Sequence, residues 1–155
     1  MKSPNFVPRI AFAAGLCLCT AFAGPAAEAP KPLSFKLLGK TLHKENAATA
    51  FPAELRKLDG KRVRIAGFAS PYDDPEKMDK ILLTGTSVGC FFCNPPEENG
   101  VVFVRRSPHE KRPEMDSDSV TVEGTLHLVS PNSKDEEAKQ FIFMIDDAKI
   151  IPRKG

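Results

Sequence analysis

No G-x-S-x-G elbow, H-E-x-x-H helix, phosphate-cradling loop or dinucleotide glycine pattern occurs in this 155-residue chain. Each of those motifs fixes a nucleophile, a metal or a phosphate by its spacing, so their joint absence leaves those chemistries without a visible site. Histidine is scarce, with only His43, His109 and His127. For each, a solvated or hydrogen-bonded surface position is the ordinary role, and a base or ligand is the special one. Asp116-Ser117-Asp118-Ser119 has a trace of calcium-loop spacing but lacks the glycine and the distal glutamate such a loop uses. Enzyme activity therefore has no motivating residues, and a non-catalytic role is the expectation.

Long apolar runs are also missing, apart from one at the N-terminus. Lys2 and Arg9 precede Ile10–Ala23, which carries no charge and is short for a membrane span. It ends in Ala21-Phe22-Ala23, which fits the small-residue cleavage rule, so residues 1–23 read as a signal peptide cut before Gly24. An uncleaved anchor is the alternative. Cleavage of that leader would place the protein in the periplasm or outside the cell, with no integral span left. Leu16 and Leu18 precede Cys17 and Cys19 where a lipoprotein site needs a small residue, so those cysteines leave with the leader. The formal charge of +2 leaves with Lys2 and Arg9, and the remainder has no basic run. A nucleic-acid partner is not expected from such a chain.

What is present reads as one domain. Residues 24–45 begin with GPAAEAPKP, which has little to bury and reads as a tether, although Leu33–Leu42 carries apolar residues suited to a domain edge. Ala47–Leu58 has the pattern of a short helix, with Pro52 in its first turn and Leu55 and Leu58 on one face. From there period-two alternation marks five strands: Lys61–Ala69, Lys80–Thr84, Val101–Arg105, Ser119–Val129 and Gln140–Ile151. Val63, Ile65, Leu82, Val102, Val104, Val122, Leu126, Phe143 and Ile145 are the expected core. Gly67 and Gly124 fall inside strands, where glycine marks a sharp bend or a bulge. Five short, bent strands point to an all-β fold, a small five-stranded OB-like barrel over residues 46–155 with a short N-terminal helix.

Leu58-Asp-Gly-Lys-Arg-Val-Arg-Ile-Ala-Gly-Phe-Ala-Ser-Pro71, then a leucine strand, a cysteine loop, Cys93-Asn-Pro-Pro-Glu-Glu-Asn99 and Val122-Glu-Gly-Thr-Leu126, follow one another in a distinctive order. In that order the chain resembles a bacterial secreted family of uncharacterised proteins, domain of unknown function 3299, over Leu55–Ile151. The resemblance implies export, an OB-like β fold and no established activity. It also implies a loop with one cysteine or adjacent cysteines, often with a histidine nearby. Here the loop is Cys90-Phe91-Phe92-Cys93, and it holds no histidine.

Loss of the leader leaves Cys90 and Cys93 as the remaining cysteines. In an oxidising compartment they have three fates. They close a structural disulfide. They hold zinc or copper, with His109 and His127 as candidate further ligands. Or they exchange disulfides with other envelope proteins, although Pro95-Pro96 allows no helix to start there and lower a thiol pKa. Phe91 and Phe92 divide between packing on the barrel and an apolar tip for an exported or envelope partner. The reading that asks least of these residues is a non-enzymatic binding or accessory module presenting the C-x-x-C loop to a metal ion or a partner protein.

Overall fold

The computed structural model describes residues 29–42, 49–87, 96–115, 117–130 and 132–153. Its elements, in chain order, are β1 (Lys31–Pro32), α1 (Phe35–Leu38), α2 (Ala53–Arg56), β2 (Arg62–Pro71), β3 (Lys80–Thr84), β4 (Val101–Arg106), β5 (Ser119–Leu128) and β6 (Phe143–Pro152). Short 3-10 turns at Glu98–Gly100 and Ala138–Gln140 precede β4 and β6. The sheet runs β2-β3-β4-β6-β5 and closes by pairing β5 back onto β2. Only the β4–β6 pairing is parallel within this ring. This is the five-stranded, OB-like barrel that the alternation implies.

Closure depends on β2, which has two sets of partners. Residues Arg62–Phe68 pair with β5, and Phe68–Pro71 pair with β3. The strand must bend where it changes partner, and Gly67 sits at that point. A Cβ there would lie 2.5 Å from the Thr84 carbonyl oxygen and 2.9 Å from the Phe35 ring. Gly124 does the same for the β5–β6 pair: a Cβ would meet Ile145 Cγ2 at 2.5 Å and the Asp146 oxygen at 2.7 Å. The register slips by a residue there, and Asp147 takes up the slack with a φ of +49°. Both glycines thus serve the close approach and bend expected of mid-strand glycine.

Val63, Ile65, Val102, Val104, Val122, Leu126, Phe143 and Ile145 fill the barrel interior as expected. Leu82 does not. It alternates with the inward Ile81 and Leu83, so it lies on the outer face. It is buried there because the segment between β5 and β6 folds back across the outside of β3, β4 and β6. Val129, Ala138 and Phe141 from that strap cover Leu82, Val101, Phe103 and Met144. Phe141 stacks on Phe103 with ring centroids 4.8 Å apart, and Tyr72 meets both edge-on.

Residues ahead of position 46 also pack on the barrel. Lys31–Pro32 pairs in parallel with Val63–Arg64, and Leu33 and Leu38 are buried in the barrel core. These apolar side chains, with Leu55 and Phe51, close the barrel end at which β2 starts and β5 finishes. α2 is one turn long, and Pro52 stands at its N-cap instead of inside it.

Candidate functional site

Cys90, Phe91, Phe92 and Cys93 lie outside the described residues, but both stems of their loop are placed. The Ser87 hydroxyl donates to Asp118 Oδ2 at 2.9 Å, tying the first stem to the start of β5. On the second stem the Asn99 side-chain amide donates to the Thr41 carbonyl at 3.3 Å and to the Gly39 carbonyl at 3.5 Å. Asn99, the last residue of the C-N-P-P-x-x-N stretch, thereby ties β4 to the end of α1. Loop stems held this way carry a short segment on a fixed frame.

The two candidate histidines stand beside different stretches of β6. His127 lies opposite Met144, with Nε2 3.8 Å from Asp146 Oδ2. His109 follows β4 in the turn where the Ser107 amide bonds the Ala148 carbonyl and Lys149 approaches Glu110. Four or more strand residues separate those two levels, on the order of 13 Å. Among the described residues no group of three His, Cys, Asp or Glu side chains is arranged to hold a metal ion.

The Asp146-Asp147 pair contains a structural anchor. Arg105 Nε and Nη2 hold both Asp146 oxygens at 2.6 and 2.9 Å, while Nη1 reaches Asp135 on the strap at 2.5 Å. These contacts raise the Arg105 pKa, the Asp146 bond most of all. Asp135 also accepts the backbone N–H groups of Ala138 and Glu137, and with Arg105 these hold its carboxyl below the usual aspartate range. Lys80 adds a 2.8 Å bond to Glu137, which raises its own pKa. A lowered carboxylate pKa stabilises the fold above the unfolded value and loses that effect as pH falls through the folded one. The strap is therefore expected to loosen first as the pH drops below about 3.8. Amide hydrogen exchange should then rise at 133–141 before it rises in β5, and simultaneous exchange in both would contradict this.

A second concavity adjoins the first loop stem. Beyond the bond from the Ala69 amide to the Asp118 carbonyl, β2 continues to Pro71 bonded to β3 alone, and beside it lies a cleft of about 620 Å³. Pro71, Pro75, Met78, Pro113 and Met115 form its apolar walls. Arg112, Glu114 and Asp118 stand at its polar side. Met78 ends a single turn begun at Asp74, with a φ of +52°. That left-handed conformation costs a non-glycine residue about 1–2 kcal/mol, and here it belongs to a buried methionine in the cleft wall. Sequence pattern gave no sign of this cleft, because its walls come from two loops more than thirty residues apart.

A closed OB-like barrel with a strapped outer face and tied loop stems defines a small β domain, and its family follows from comparison with known proteins. Residues 34–151 match the profile of a family described as protein of unknown function (DUF3299), and the chain belongs to that family. The crystal structure of a DUF3299 family protein from Pseudomonas aeruginosa PAO1 is similar in fold, with a TM-score of 0.55 and 19% identity. The match covers 82% of this chain and 98% of the other. No curated protein matches the sequence. Among the described residues no helix is long and apolar enough to cross a membrane.

Proposed function

We propose that this protein is an exported, non-enzymatic accessory module that presents the Cys90–Cys93 loop to a metal ion or a partner protein. The observation that supports this reading is the tying of both loop stems, Ser87 to Asp118 and Asn99 to the α1 end. A frame fixed on both sides costs the loop less ordering entropy when something binds it. Thiolates favour zinc or copper(I), so these are the metals to test. His109 and His127 are the candidate further ligands, and each is tested singly.

Native mass spectrometry of the exported protein, with and without added zinc or copper(I), is the direct test. The wild type should carry one metal ion that the Cys90→Ser/Cys93→Ser variant lacks, while thermal melting shows both folded. A protein two hydrogens lighter than its reduced mass, carrying no metal, would instead support the structural disulfide. The double variant would then lose only a small part of the stability, because closing so short a loop constrains the unfolded chain little.

A further inference from the structure

We propose that the cleft between the β2–β3 turn and the β4–β5 connection is a docking site for an extended, basic peptide segment that seats apolar side chains. This goes beyond the cysteine loop and does not depend on it. Its volume of about 620 Å³ lies within the range of about 300–1,000 Å³ that ligand sites occupy. The walls supply the apolar part of the match. Three prolines give rigid faces, and two methionines give adaptable ones that accept side chains of different shape.

Charge decides what can sit beside those walls. The described residues of the two bordering stretches, 72–79, 107–115 and 117–118, hold seven acidic residues and three basic ones. Several of these charges are already matched. Asp79 pairs with Arg106, Asp74 with Lys77, Asp73 approaches Lys80, and Glu110 approaches Lys149. Among the described residues Arg112 is the one cation on the cleft lining, which also carries the carboxylates of Glu114 and Asp118. The field over the cleft mouth is thus negative, and it favours an incoming Lys or Arg over an acidic residue.

The shape of the opening selects an extended chain. The last bond of the β2–β5 seam runs from the Ala69 amide to the Asp118 carbonyl at 2.7 Å. Beyond it β2 continues to Pro71 paired with β3 alone, so its other edge borders the cleft. An extended peptide follows such an edge and turns alternate side chains inward, which places apolar groups between the methionines and leaves its cations at the rim. Pro71 has no N–H to offer, so side-chain seating and charge carry the recognition more than strand pairing does.

The test is fluorescence anisotropy of the full chain with three labelled probes: alternating lysine–leucine, glutamate–leucine and lysine–glycine hexapeptides. The lysine–leucine peptide should bind, more weakly as salt rises, and the other two should not. Glu114→Lys, at an exposed position, should weaken that binding by about tenfold or more. Lys36→Glu, on α1 and outside the cleft lining, should leave it unchanged. Circular dichroism confirms that both variants are folded. Failure of the lysine–leucine peptide to bind, equal binding of the glutamate–leucine or lysine–glycine peptide, or unchanged binding by Glu114→Lys would each overturn the proposal. So would self-association of the chain that accounts for the anisotropy signal.

Discussion

Phe103→Ala is expected to destabilise the protein by about 3–5 kcal/mol, the range for a fully buried phenylalanine. Phe103 faces away from the barrel interior, so a barrel with a bare outer surface would lose almost nothing. Here its ring is wholly enclosed, stacked on Phe141 and edged by Tyr72. Truncation removes the central ring of the strapped face and leaves Leu82 and Met144 beside a cavity. Urea titration measures the loss, and the slope should stay near the wild-type value if the barrel itself persists. A loss below about 1 kcal/mol would mean that the strap does not hold this face closed in solution.

The second large effect is inside the barrel. Ile65 is 1% exposed and pairs opposite Val122 at the middle of the β2–β5 seam. Ile65→Ala should cost about 2–5 kcal/mol, because a rigid ring of strands cannot collapse onto the missing atoms. A denaturant midpoint equal to the wild type's would place Ile65 outside the core.

β5 was the plainest part of the fold in sequence. Its apolar and polar residues alternate without a break, since one side meets the barrel core and the other is only partly covered. β3 was harder to face. Its residues are apolar on both sides because the barrel buries Ile81 and Leu83 while the strap buries Leu82, and a five-residue run with two buried faces carries no alternation. The strap itself was hidden by composition, for Asn132–Gln140 is polar apart from Ala138. Only the fold reveals that Asp135 and Glu137 answer Arg105 and Lys80. Of the candidate site, the C-x-x-C pair is visible to any reader of the chain. The tie from Asn99 to α1 joins residues nearly sixty apart, and no local spacing encodes it.

The place of β6 in the ring has a consequence for the chain while it is being made. This last strand of the ring lies between β4 and β5 and is bonded to both. Until residues 143–152 have emerged from the ribosome, β4 and β5 each present an open edge, and neither the strap nor the barrel seam has its support. Pairing across such sequence distances is slow, and the ring cannot close piecemeal. A nascent chain of this protein therefore stays free of its native barrel until residues 143–152 have been made. During that interval its exposed strand edges call for a holding chaperone.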